Sequence, residues 1–155
     1  MALHLKEILD QLSLSSFVKT SGRTGLHIYV PILRQYDYDV LRHASTLIAD
    51  FLRGHYPDDI TLEWTVTKRT GKVFLDQNQN TRGKTLASIY SPRPLAEATV
   101  SMPITWQELS SVYPTDFTIF VAPERLAAVG DLWADILDAK HDLDALLARA
   151  EPKGA

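Results

Sequence analysis

The chain contains no cysteine, which excludes disulfides and thiolate metal sites. It contains no apolar run near the ~20 residues that span a bilayer, which excludes a single membrane-crossing helix. Its start, Met1-Ala2-Leu3-His4-Leu5-Lys6-Glu7, lacks the apolar run of a signal peptide. A cytoplasmic protein is expected, with no membrane partner. Low complexity and internal repeats are missing too, and charged residues make up 23% of the chain, so composition gives no sign of disorder. What is present is 155 residues, 45% of them hydrophobic, enough for one domain with a real core spanning residues 1–155.

Positive charge is scarce overall, and the net charge is -3. It is unevenly placed, however. From Trp64 to Arg93 the bases are Lys68, Arg69, Lys72, Arg82, Lys84 and Arg93, against one acid, Asp76. After Arg93 the chain carries ten acids against four bases. One segment is therefore suited to meet anions and the other is not.

Periodicity predicts an amphipathic helix over Leu3 to Leu14 and a short strand at Phe17–Lys19. A tight loop follows, Thr20-Ser21-Gly22-Arg23-Thr24-Gly25, and then a strand from Leu26 to Ile32. A second helix is expected from about Asp37 to Arg53, with Val40, Leu41, Ala44, Leu47, Ile48 and Phe51 inward and Gly54 as its stop. Ile60 to Thr67 alternates like a strand, with Ile60, Leu62, Trp64 and Val66 on one face. Thr70-Gly71 leads into Lys72–Asp76, at a spacing that allows a hairpin. Leu86 to Tyr90 and Phe117 to Val121 read as further strands, and Pro92, Pro94 and Pro103 as marks of irregular chain. Thr105 to Glu108 fits a capping box. Pro123 opens a short helix that Gly130 ends, and Leu132 to Ala148 reads as the last helix. The expected class is α/β (α+β), a mixed, largely antiparallel sheet flanked by helices.

Three constellations bear on chemistry. In Lys19 to His27, the glycine-punctuated turn can present backbone N–H groups to a phosphate. Ser21 adds a hydroxyl, Lys19 and Arg23 add charge, and His27 opens the next strand. A polar loop with a structural histidine is the plainer reading of these residues alone. In Lys68 to Asn80, Asp76 ends an apolar strand beside a polar loop, where a carboxylate can join substrate phosphates and water around magnesium. A capped turn at a solvated strand end is the alternative. In Tyr90-Ser91-Pro92-Arg93-Pro94, the flanking prolines restrain an arginine whose fork suits a phosphate, although an ordinary exposed arginine fits as well.

Taken together, these segments resemble the polymerase domain of bacterial DNA ligase D, of the archaeo-eukaryotic primase superfamily. The resemblance runs from about Leu5 to Leu147. It is carried most strongly by Phe17-Val18-Lys19-Thr20-Ser21-Gly22, by Gly71-Lys72-Val73-Phe74-Leu75-Asp76 and by Thr99-Val100-Ser101-Met102-Pro103-Ile104-Thr105-Trp106. It implies that Ser21 and His27 hold a nucleoside triphosphate and that Asp76 is a catalytic, metal-binding carboxylate. Lys19, Arg69, Gln79 and Arg93 complete the implied nucleotide-binding set. The implied cofactor is Mg2+ or Mn2+, and the implied activity is template-dependent nucleotidyl transfer at DNA ends in non-homologous end joining. The implied setting is bacterial or archaeal and nucleoid-associated.

Two positions depart from the family pattern: Thr24 stands where a lysine is usual, and Gln77 where an aromatic is common. The family also places a pair of aspartates separated by one residue ahead of the serine-histidine motif. Asp37-Tyr38-Asp39 has those letters but follows the motif and reads as a helix start. The chain is therefore expected to correspond to the carboxy-terminal half of such a domain, inactive alone. A separate amino-terminal polymerase half, a ligase, or a second copy in a homodimer would be its protein partners. A non-catalytic module that binds nucleotide or DNA ends is the alternative. A metal hydrolase built on His27 and Asp76 is disfavoured, because such sites draw about three protein ligands.

Overall fold

The structure, a computed structural model, describes residues 1–150. The chain divides into two compact units. The first comprises residues 1–12, 32–86 and the described residues from 142 on, and the second residues 13–31 and 87–141. Helices and mostly antiparallel sheets share the molecule, as the sequence predicts.

The first unit is built on helices α1 (Ala2–Gln11), α2 (Tyr38–His55) and α4 (Asp144–Ala150). Asp37 caps α2, its carboxylate accepting the Val40 N–H at 2.9 Å, so the Asp-Tyr-Asp sequence is a helix start. Gly54 does not stop the helix, which runs through to His55. The face that α2 buries carries Ala44, Ala49 and Leu52, whereas Phe51 is 49% exposed, so the inward stripe is rotated from the expected one. Ile8 and Leu12 from α1 and its end, Leu47, Ile48 and Phe51 from α2, and Leu146 from α4 line a groove of about 470 Å³.

The expected hairpin in this unit is instead a parallel pair. Strand β3 (Ile60–Thr61) and strand β4 (Val73–Phe74) run side by side, Ile60 opposite Val73 and Thr61 opposite Phe74. The alternation from Leu62 onward does not continue as strand, because residues Val66–Lys68 coil into a 3-10 turn. That turn interrupts the strand before β4 lies parallel to β3, and Trp64 and Val66 are 60% and 74% exposed rather than facing a core.

The second unit centres on a three-stranded antiparallel sheet with β1 (Phe17–Thr20) between β2 (Leu26–Tyr29) and β7 (Pro103–Ile104). A second antiparallel pair joins β5 (Ser91–Pro92) to β6 (Val100–Ser101). Val18, Val100, Met102, Ile104 and Phe117 form the core, with Leu26 and Ile28 packed on it. Phe17 and Tyr29, on the other face of the sheet, meet Trp133 edge to face.

Prolines had marked residues 92–103 as irregular, yet β5 and β7 contain Pro92 and Pro103. Both strands are two residues long, and Pro103 opens β7, where a missing N–H removes little from the ladder. Residues Leu86–Tyr90 precede the strand rather than form it, and Phe117–Val121 supplies only a single bridge, Thr99 to Thr118. The capping box is present: Thr105 N–H donates to Glu108 and the Glu108 N–H to Thr105 Oγ1.

Helix α3 (Ala122–Val129) ends at Gly130, whose φ is +73°. The last helix is shorter than expected. Residues 132–139 form turns closed by i to i+3 bonds such as Ala134 N–H to Asp131 O. The Asp131 carboxylate takes the Trp133 N–H and the His141 N–H goes to Pro31 O, which removes donors a continuous helix would use.

Candidate nucleotide site

Antiparallel pairing of β1 with β2 sets Lys19 directly opposite His27 on one face of the sheet, with Val18 and Ile28 facing the core on the other. The five residues between Thr20 and Leu26 close on themselves. Ser21 N–H donates to Gly25 O at 2.9 Å, and Ser21 Oγ accepts the N–H groups of Arg23 and Gly25, each at 3.1 Å. Those two N–H groups therefore turn inward onto the hydroxyl instead of outward as a phosphate cradle. The Ser21 hydroxyl still has its own proton to donate. Arg23 and Thr24 are both exposed at the loop tip.

This loop is strapped to β6. Thr20 N–H donates to Met102 O, Thr20 Oγ1 donates to Val100 O and accepts the Met102 N–H, and Thr99 Oγ1 donates to Gly22 O. Arg93 reaches the same place from β5: its N–H donates to Thr99 O at 2.7 Å, and its side chain lies along Gly22. Ser21, His27 and Arg93 thus all lie in the second unit, Arg93 against the serine loop and His27 on the adjacent strand.

Lys19 belongs to the cluster but not to its surface. It is 0% exposed, and its ammonium donates to Ala87 O at 2.8 Å and to Ser101 Oγ. Ser101 in turn donates to Thr20 O at 2.8 Å. Burial pulls the Lys19 pKa down to about 8, and the positive charge of Arg93 adds to the effect. Lys19 therefore acts from beneath the loop, as an internal cation that ties the strand bearing Ser21 to the chain at Ala87 and Ser101. Ser101 and Thr99 are the residues that sequence reasoning did not single out. Their only signal was the segment Thr99–Trp106, noted for its family likeness.

The remaining candidates lie in the first unit. Asp76 caps a 3-10 turn at Gln77–Gln79: one carboxylate oxygen accepts the Asn78 N–H at 3.1 Å and the other accepts Gln79 Nε2 at 2.7 Å. Gln79 is thereby placed on Asp76 itself. Arg69 donates to the carbonyls of Glu63 and Trp64 and lies with its guanidinium carbon 3.6 Å from the centre of the Phe74 ring. It organises its own loop while keeping further N–H donors.

Magnesium or manganese held at this carboxylate would neutralise triphosphate oxygens and orient them. Among the described residues, no three His, Asp or Glu side chains gather around one point. Asp76 with Gln79 fits a partial ligand set for one ion that also draws on phosphates and water. It does not make a centre for two.

The serine-histidine hairpin with Arg93 beside its loop and, in the other unit, the capping Asp76 are the residues through which the sequence resembles nucleotidyl-transfer domains of the primase-polymerase type. The comparisons agree. Residues 1–133 match the family described as LigD, primase-polymerase domain. The chain is 32% identical over 156 residues to the bifunctional non-homologous end joining protein LigD of Bacillus subtilis, covering 98% of this chain and 26% of that protein. It is 31% identical to the multifunctional LigD of Pseudomonas aeruginosa over 95% of this chain and 18% of that protein. The polymerase domain of Mycobacterium tuberculosis ligase D, solved in complex with DNA, superposes with a TM-score of 0.81 at 31% identity, covering 91% of this chain and 49% of that one.

The chain belongs to the LigD primase-polymerase family. It spans about a quarter or less of these curated relatives. Among the described residues, no helix is long and apolar enough to cross a membrane.

Proposed function

We propose that this chain is the nucleotide-binding part of an end-joining DNA polymerase, acting on DNA ends with a nucleoside triphosphate as substrate. The observation that carries this reading is the placement of Arg93 against the closed loop of Ser21, with His27 on the neighbouring strand opposite the buried Lys19. A hydroxyl, an imidazole and a guanidinium suit a polyphosphate chain, since charged hydrogen bonds to its oxygens are short and strong. Arg69, Asp76 and Gln79, in the first unit, carry the metal- and nucleotide-binding roles that the family resemblance implies, and a metal held by Asp76 would draw its remaining carboxylates from the family's aspartate pair.

A non-catalytic module that binds nucleotide or DNA ends is the second reading. It is favoured by Asp76, whose two oxygens are both engaged by its own turn. Under either reading the isolated chain binds without turning over. A primer-template incubated with the purified chain, triphosphates and manganese should show no extension. Extension that Asp76→Ala abolishes would place a working catalytic centre inside these residues and overturn this part of the proposal.

The apolar groove between α1, α2 and α4 is the surface on which a protein partner would sit, either a polymerase half, a ligase or a second copy of the chain.

A further inference from the structure

We infer that Trp64 is a stacking platform for an unpaired base of single-stranded DNA, with Lys84 and Lys68 taking the flanking phosphates. This rests on the DNA-end reading above and adds to it the surface and the state of the DNA.

Trp64 is 60% exposed, unusual for the largest side chain in a loop that could have folded inward. Its position is built rather than loose. The Arg69 guanidinium clamps the loop from below through the carbonyls of Glu63 and Trp64, and Phe74 meets the indole edge to face with centres 5.9 Å apart. Arg69 covers the Phe74 ring in turn. The indole is thus held outward by a stack of aromatic and guanidinium groups.

The charge around it is mostly positive. The Lys84 ammonium lies 5.6 Å from the centre of the indole ring, Lys68 is exposed four residues after Trp64, and Arg82 is exposed two residues before Lys84. The opposing acid at this loop is Glu63, 3.9 Å from Lys68. An apolar protein partner would be repelled from so hydrated a set of cations. An unpaired base has a π-face for the indole and a phosphate on each side for the lysines, which is the combination that single-strand binding surfaces use. Lys84, on a flexible stem, exchanges its place on the ring for a phosphate when the base arrives.

The test titrates the full chain at low salt with a short oligothymidylate, a blunt duplex, and the same duplex with a single-stranded tail. Indole fluorescence and the anisotropy of the labelled DNA are both read. Of the three tryptophans, Trp133 is buried and Trp106 is half-buried, so quenching at the surface reports Trp64.

The expected result is tighter binding of tailed than blunt DNA and quenching of the indole. Trp64→Ala should weaken tailed-DNA binding by about 5- to 150-fold, the range for one base-aromatic stack. Trp64→Phe should keep most of the affinity and lose the quench. Lys84→Ala should lower the salt slope by about one. Equal binding of tailed and blunt duplex, or a Trp64→Ala chain that binds as the wild type does, would overturn the platform while leaving the DNA-end reading standing. A wild-type chain that binds none of the three DNAs would overturn both.

Discussion

Gly22 and Arg93 contest the same space: a β-carbon on Gly22 would stand 2.5 Å from Arg93 Cγ and 3.1 Å from Ser101 N. The φ of Gly22 is +70°, a conformation glycine adopts without strain. One position thus serves both the turn that presents Ser21 and the close approach of the arginine.

Replacing Gly22 with alanine should therefore do two things. It should cost about 1–3 kcal/mol of stability, from left-handed backbone strain and the backbone contact at Ser101. It should also displace Arg93 and weaken triphosphate binding. Gly25→Ala, whose added carbon meets only Ser21 Oγ at 4.0 Å, should be mild in comparison. Urea unfolding of the two variants, with equal losses, would contradict this account.

Glu108 offers a pH test. Its bidentate contact with Arg125, 2.8 and 2.9 Å, holds its pKa near 2, with hydrogen bonds from Thr105 contributing and burial opposing. Because the folded-state pKa is depressed, the pair's contribution is complete above the ordinary carboxylate value of 4.5 and is lost as pH falls from there toward 2. Glu108→Ala should cost about 1.5–3 kcal/mol at neutral pH. It should also flatten the acid limb of the stability curve between those two pH values. An unchanged acid limb would show that other carboxylates control it.

The groove at Ile8, Leu12, Leu47, Ile48, Phe51 and Leu146 predicts self-association. Apolar surface of this kind is seldom left open, and a two-fold pair is the commonest closure. Light scattering at micromolar concentration should give a mass above 17.4 kDa, and Phe51→Glu should return it to that value. A wild-type monomer across the range would contradict this.

Much of the second unit was legible in the sequence because its signals were local. The short strand at Phe17–Lys19, the glycine loop after it and the strand from Leu26 were read from their own residues, and Pro123 and Gly130 bracketed α3. What failed was set by distant partners. Val66 reads as strand on its neighbours, but the chain turns there so that β4 can lie parallel to β3. Pro103 reads as a breaker, but it sits opposite Lys19 in the pairing of β1 with β7, where its ring is fully buried.

In the site, the serine loop was visible as spacing. That Arg93 belongs beside it came from family likeness alone, since seventy-odd residues of chain separate the two. The burial of Lys19 was not visible at all, because Ser101 and Ala87 lie far along the sequence from it.

Triphosphate affinity measured by calorimetry at low salt, for the wild type beside Ser21→Ala and Arg93→Ala, tests the central claim most directly. The account predicts a weak, salt-sensitive binding heat for the wild type. It predicts that Ser21→Ala lowers the affinity several-fold, by about 1 kcal/mol for one neutral hydrogen bond, and that Arg93→Ala lowers it about tenfold or more. No binding heat in the wild type, or binding that both variants leave unchanged, would contradict it.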